Sequence, residues 1–227
     1  MFRPHIAPLF ENRYDAGRQL SARLAEYKGE PVLVLAIPNG GLPIASEIAK
    51  AIDAELDVVV VRKLPIPLHP EAGFGAVADD GSVILNDELV RREGVTKIHI
   101  DEQVTIVTAQ VRQRSLLYRK DRALSSVRDK TAIIVDDGLA SGYTMLAAVE
   151  SVRRRRPRDI VVAVPAASSI ALKAIGTAAK VVAVAEGKES TFAVADYYRH
   201  WYDVHDNEAV KILEQHRIRP AFDRRQR

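Results

Sequence analysis

Several stretches of the chain are apolar without interruption: residues 32–37 (VLVLAI), 58–61 (VVVV, following Leu56), 132–135 (AIIV, following Thr131), 160–164 (IVVAV) and 181–185 (VVAVA). Continuous rather than alternating apolarity marks strands covered on both faces, as in a parallel sheet. Between these runs the period changes to that of a helix. Ala16, Leu20, Leu24 and Tyr27 share one face over 15–28, and further helices are predicted over 44–52, 101–120, 142–155 and 168–176. A short helix over 86–94 has Asn86 as its capping candidate, and a last one runs over 206–216. Strand and helix alternate from 31 to 185, which predicts an α/β fold with a parallel twisted sheet and crossover helices.

Two regions break the rhythm. Residues 62–80 hold Pro65, Pro67, Pro70, Gly73 and Gly75 and have no helical period. A loop of that length inside a compact domain is functional or mobile as a rule. From Gly73 onward, with Gly81 at a turn before 82–85, the pattern suggests a hairpin arm. After residue 185 the aromatics gather: Phe192, Tyr197, Tyr198, Trp201 and Tyr202 are five of thirteen in the chain. The expected organisation is one domain over 1–227. It has a core at about 15–185, a flexible arm at about 62–85, and a small C-terminal part at about 186–227.

Composition narrows the chemistry. No cysteine is present, which excludes disulfides, thiolate metal sites and a cysteine nucleophile and fits a cytoplasmic protein. Pro4 and Pro8 interrupt an N-terminus without a signal-peptide pattern, and no run of about 18 apolar residues predicts a membrane helix. The formal net charge of +3 suits an anionic ligand.

Open α/β sheets bind ligands beyond the carboxyl ends of their strands, and three loops leave such ends with unusual composition. The first follows the 131–135 strand. Asp136 and Asp137 can accept hydrogen bonds from neighbouring sugar hydroxyls or hold magnesium through water. Gly138, Ala140, Ser141, Gly142, Tyr143 and Thr144 then supply small residues, hydroxyls and the free N–H groups of a helix start, which favour a phosphate. The blander reading, a turn residue and an N-cap, does not call for the whole string together. The second loop is Asn39-Gly40-Gly41 between Pro38 and Pro43, where two glycines allow close backbone approach. The third is Arg62-Lys63, two cations at a strand end and at the root of the arm.

The string IIVDDGLASGYT resembles the phosphoribosyl pyrophosphate (PRPP) signature of the type I phosphoribosyltransferases. The likeness extends along most of the chain. It takes in Asp15-Ala16-Gly17 and Leu20, the Gly40-Gly41 loop, Arg62-Lys63 at a strand end, and a proline-rich arm ending in Gly75-Ala76-Val77. The resemblance implies a magnesium-dependent enzyme that moves phosphoribosyl from PRPP to a nitrogenous base or related small acceptor, releasing pyrophosphate. By it, Asp136 and Asp137 are the catalytic residues and take the ribose hydroxyls. Residues 140–144 hold the 5′-phosphate. Asn39, Gly40, Gly41, Arg62 and Lys63 hold pyrophosphate. A C-terminal hood offers Phe192, Tyr197, Tyr198 or Trp201 to the acceptor ring. Dimers are common in that family, so a homodimer is allowed. This chain departs from it in two places. Asn39 stands where many members have arginine, which removes a cation. Ala140 stands where 6-oxopurine enzymes often have aspartate, which leaves the loop without a base.

Two alternatives remain open. One is a PRPP sensor that binds nucleic acid through Arg112, Arg114, Arg119, Arg122 and residues 153–156, although no DNA-binding motif is present. The other is a non-catalytic domain. Gly73-Phe74-Gly75 lacks the context of a dinucleotide fingerprint, and His200, Asp203, His205 and Asp206 fit no metal-ligand spacing.

Overall fold

The computed structural model describes residues 7–66, 69–120, 122–187 and 192–218. Five strands form a parallel sheet: β1 (Val32–Ala36), β2 (Glu55–Val58), β6 (Thr131–Val135), β7 (Asp159–Ser168) and β8 (Lys180–Gly187), in the order β2-β1-β6-β7-β8. The apolar runs are these strands. Val34, Ala36, Ile133, Val135, Val161 and Ala163 pack into one core, and the alternating Leu33, Leu35, Ala132, Ile134, Val162 and Val164 into a second on the opposite face. Both faces are dry, so a one-residue slip would exchange every inward set, and the register (Ala36 opposite Val135, Val135 opposite Ala163) is held on both sides at once.

Helices α1 (Arg13–Ala22), α2 (Gly41–Ile52), α4 (Lys97–Arg119) and α7 (Asp206–Ile218) contribute to the first core, and α5 (Tyr143–Arg154) and α6 (Ser169–Gly176) to the second. A short α3 (Asp87–Arg92) is capped as expected by Asn86, which accepts from the Leu89 N–H at 3.0 Å. The N-terminal helix begins two residues before the predicted start, because Asn12 caps it by accepting from the Asp15 N–H. It ends at Ala22, and a separate 3₁₀ turn over Ala25–Tyr27 follows. Its buried face is Arg13, Ala16, Gly17 and Leu20. A Cβ on Gly17 would come within 2.9 Å of the Ile44 carbonyl oxygen, so the glycine lets α1 lie directly on α2.

The largest difference from the sequence expectation is the arm. The apolar pattern ends the second core strand at Val61 and predicts a loop after it, with a hairpin only from Gly73 through the Gly81 turn to 82–85. The hairpin is present, but the pairing begins earlier. Val61 opens a separate antiparallel sheet, β3 (Val61–Ile66), β4 (His69–Ala78) and β5 (Val83–Leu85). The prolines conceal it, since a proline cannot donate to a ladder and argues against a strand. Here the pairing shifts register on either side of Pro65, which absorbs the defect. Gly75 is needed by the pairing itself, since a Cβ there would lie 2.4 Å from the Ile84 carbonyl oxygen. The arm is tied to the core by a buried ion pair. Arg119 reaches Asp79 at 2.7 Å and the Val58 carbonyl at 2.9 Å, with both charged side chains almost fully covered. Among the described residues, no helix is long and apolar enough to cross a membrane.

Candidate functional site

The chain runs from β1 outward to β2 in one direction and from β6 outward to β7 and β8 in the other. The strand order therefore reverses between β1 and β6, and the crevice at such a point is where open α/β sheets take ligands. The Gly40-Gly41 loop leaves β1 there and the acid pair leaves β6. The Ile37 N–H donates to the Val135 carbonyl at 2.8 Å, which carries the pairing past the strand ends. Beyond it the two loops touch. A Cβ on Gly41 would stand 2.6 Å from the Val135 carbonyl oxygen, and one on Gly40 only 2.0 Å from Asp137 Oδ2. Gly40 is thus required by the Asp137 carboxylate and Gly41 by the end of β6.

The Pro38–Asn39 peptide bond is cis. The Asn39 side chain is engaged by other elements. Its Nδ2 donates to the Val204 carbonyl at 2.8 Å and to Asp206 Oδ1 at 2.9 Å, and its Oδ1 accepts from the Tyr118 hydroxyl at 2.5 Å. Arg114 also reaches Asp206 Oδ1, at 2.8 Å. The Asn39 hydrogen bond, ahead of Arg114, holds the Asp206 carboxyl below its usual range, and burial pushes the Tyr118 hydroxyl up to about 12. Asn39 therefore joins the β1 loop to α4 and to the start of α7.

Asp136 and Asp137 are partly buried. Asp136 Oδ1 accepts from the Asp137 N–H at 2.8 Å. Asp137 Oδ2 receives Arg13 Nε at 2.9 Å and Nη2 at 2.8 Å. The Tyr198 hydroxyl donates to the Asp137 carbonyl at 2.7 Å, and burial pushes that hydroxyl's pKa far up. Burial raises both carboxyls. At Asp136 the charge of Asp137 adds to it, whereas at Asp137 the Arg13 guanidinium opposes it. Among the described residues, Asp136 Oδ2 and Asp137 Oδ1 have no hydrogen-bond partner. Among the same residues, no group of three or more histidine or acidic side chains could cage a metal. Two single carboxylate oxygens beside a helix start with open N–H groups fit magnesium only in its usual manner, through water and ligand phosphates.

After the acids the loop is pinned to β7. Leu139 accepts from the Ser168 N–H and donates to the Ala166 carbonyl, both at 2.9 Å, and the Ser168 hydroxyl donates to the Ala140 carbonyl at 2.6 Å. Gly138 lies against Val194, where a Cβ would be 2.6 Å from a valine methyl. Ala140 and Ser141 are exposed. Gly142, at φ 83°, starts α5 without any side-chain cap, so Ser141 is not the N-cap. The first-turn N–H groups at Tyr143 and Thr144 are thus left for a ligand or water.

Arg62 and Lys63 are exposed on β3. They border a cavity of about 410 Å³ between the arm and α4, together with Gln103, Val107, Gln110 and Thr144. They therefore share space with the end of the 138–144 loop, while Gly40 and Gly41 lie against the acids. The aromatic segment divides as well. Tyr197 and Tyr198 are buried, and Phe192 is half-buried against Tyr197 at 5.3 Å between ring centroids. Trp201 stays 39 % exposed and covers Arg13, whose guanidinium carbon is 3.8 Å from the indole centroid.

Arg13 is the site residue that sequence reasoning missed. Its signal was indirect. Gly17 lies one turn further along the same helix face, so the glycine that brings α1 onto α2 also directs Arg13 toward the acids. The arginine-rich surface considered for nucleic acid is partly committed elsewhere. Arg114 and Arg119 are ion-paired to Asp206 and Asp79, Arg153 and Arg154 to Glu150, and Arg155 reaches the Ser125 carbonyl.

Comparison with known proteins agrees with this geometry. The model of the phosphoribosyl transferase domain matches residues 77–198. A Mycobacterium tuberculosis H37Rv protein named "Putative phosphoribosyl transferase" is 39% identical over 208 residues, 91% of this chain and 47% of that protein. The chain thus spans about half the length of the curated relatives it matches. The crystal structure of TT1426 from Thermus thermophilus superposes with a TM-score of 0.75 at 33% identity, covering 91% of this chain and 98% of the other. With its five-stranded parallel sheet flanked by helices and its acid pair at the switch point, the chain belongs to the phosphoribosyl transferase family and has the type I fold.

Proposed function

We propose that this protein is an enzyme that transfers phosphoribosyl from PRPP to a nitrogenous base or related small acceptor. The observation that carries the reading is the contact between Gly40 and Asp137 at the β1/β6 switch point, directly before the uncapped start of α5. Three complementary recognition elements support the reading, the first two at this switch point and the third reaching it from the arm through the cavity that Arg62 and Lys63 share with Thr144. Asp136 Oδ2 and Asp137 Oδ1 accept from the ribose hydroxyls. The residues 140–144, with their open N–H groups and the α5 dipole, take the 5′-phosphate. The backbone of Gly40 and Gly41, with Arg62 and Lys63 from the arm, addresses the pyrophosphate. Trp201 and Phe192 are the acceptor-side candidates, backed by Tyr198 and Tyr197 respectively.

In the reaction the bond from C1′ to the pyrophosphate oxygen breaks and a bond from C1′ to an acceptor nitrogen forms. The electron pair of the broken bond leaves with pyrophosphate, and the acceptor proton goes to solvent or a ligand oxygen. No protein nucleophile is required. The residues position the two ends and stabilise separating charge, which develops positive on the ribose beside the acids and negative on the pyrophosphate beside the cations. Asp136 and Asp137 would hold magnesium through water, and the ion would supply neutralisation of phosphate charge. Isothermal titration tests the reading: PRPP with magnesium binds the wild type, and binding is lost in the Asp136→Asn/Asp137→Asn double variant. A wild type that does not bind, or a variant that binds equally, refutes it. A screen of bases for PRPP-dependent pyrophosphate release then identifies the acceptor.

A further inference from the structure

We propose that Arg13 is a positioning residue that makes the two acids unequal, fixing Asp137 as part of the site's architecture so that Asp136 is the principal acceptor for the ligand. This inference rests on the phosphoribosyl reading above and deepens it.

Each carboxylate keeps one open oxygen, Asp136 Oδ2 and Asp137 Oδ1, but the two differ in how firmly they are held. Asp137 Oδ2 receives two guanidinium N–H groups, at 2.9 and 2.8 Å, and is backed by Gly40 so closely that a methyl would overlap it. Its peptide carbonyl is taken by the Tyr198 hydroxyl at 2.7 Å. Rotation of this carboxylate toward a ligand would break both Arg13 bonds. Asp136 has only a local tie, the N–H of the next residue on Oδ1, and its Oδ2 is open.

Arg13 is itself immobilised. It is 3 % exposed, its Nη1 donates to the Tyr202 carbonyl at 2.6 Å, and Trp201 lies over its guanidinium face. Phe10 and Glu11, just before it, accept through their carbonyls from the Arg199 and His200 N–H groups at 2.8 and 2.9 Å. One side chain thus fastens the start of α1, the 198–202 segment and the acid pair. Its charge also matters. PRPP is strongly anionic, and two adjacent bare carboxylates would repel it. Pairing one with a buried guanidinium leaves a single net negative charge to accept the ribose hydroxyls.

The test is a double-mutant cycle read by isothermal titration. Ribose 5-phosphate serves as probe, because it carries the diol and the 5′-phosphate but no pyrophosphate. Arg13→Gln weakens binding roughly tenfold or more, the range typical of residues that orient a binding group. Arg13→Lys, which keeps the charge without the fork, recovers part of the loss. In the Asp137→Asn background Arg13→Gln has little further effect, since its action passes through Asp137. Asp136→Asn loses about tenfold more than Asp137→Asn.

Losses that add in the double variant, or equal losses for the two aspartates, overturn the inference while leaving the phosphoribosyl reading intact. A wild type that binds neither ribose 5-phosphate nor PRPP refutes that reading and the inference with it. Should Arg13→Gln fail to fold, the comparison of the two aspartate variants decides alone.

Discussion

The two ends of the proposed site are built on opposite plans. At the acid pair every surrounding group is fixed: Gly40 abuts Asp137, Arg13 and Tyr198 bond to it, and Leu139 is pinned to β7. At the arm root, Arg62 and Lys63 stand exposed beside a cavity, on a three-stranded sheet outside the main one. A sugar with defined hydroxyl positions is best met by preorganised acceptors. A leaving group that must enter and depart is best met by cations that can adjust, and lids over reacting sites are generally of this kind. On the proposed reading, recognition falls to the rigid end and release to the adjustable one.

The contrast can be broken at its hinge or sharpened at either end. The largest expected effect is on the tether between them. Arg119→Leu leaves Asp79 buried and uncompensated, costing about 3–5 kcal/mol of stability, read as a lower midpoint in urea unfolding. An unchanged midpoint would mean that the arm is held by its apolar contacts alone. Next is Asp136→Asn, which removes an acceptor facing the ribose and weakens PRPP binding on the order of 100-fold. Gly40→Ala follows. Its methyl must displace the Asp137 carboxylate, so stability falls by about 1–3 kcal/mol and ribose 5-phosphate binding falls with it. Arg62→Gln separates the ends most cleanly: PRPP binding drops about tenfold, as for loss of one charge-assisted contact, while ribose 5-phosphate binding is unchanged. Equal losses for both ligands would place Arg62 at the sugar end.

The smallest effect concerns pH. Burial, aided by the charge of Asp137, raises the Asp136 carboxyl above its ordinary value of 3.8. Ionisation is then harder in the folded state than in the unfolded one, so the group lowers stability as pH rises from about 4 through its raised pKa. Asp136→Asn lacks this penalty. Its melting temperature should exceed the wild type's at neutral pH, with the gap closing as pH falls toward 4. A gap that stays constant with pH would show that Asp136 does not carry the penalty.

The sequence displays the rigid end in full and the arm only from the Gly73–Leu85 hairpin onward, for physical reasons. Buried parallel strands must be apolar on both faces, so β1, β6 and β7 announce themselves. The acids and glycines that follow are local in sequence, and a motif that is local can be read. The first part of the arm is the opposite case. Pro65 and Pro70 argue against strands, and only tertiary pairing with a register shift around Pro65 reconciles them. Arg13 was invisible for another reason: its partner Asp137 is 124 residues away, and nothing at the start of α1 distinguishes a buried arginine from a solvated one. Asn39 reads locally as a lost cation, but its meaning lies in Tyr118 and Asp206, contacts that no local pattern records.

The central claim is that the acid pair between β1 and β6 is a ribose-phosphate site for PRPP. Isothermal titration of PRPP with magnesium into the wild type and the Asp136→Asn/Asp137→Asn variant tests it most directly. The account predicts saturable one-to-one binding to the wild type and none to the variant. Binding that is absent from the wild type, or undiminished in the variant, would contradict it.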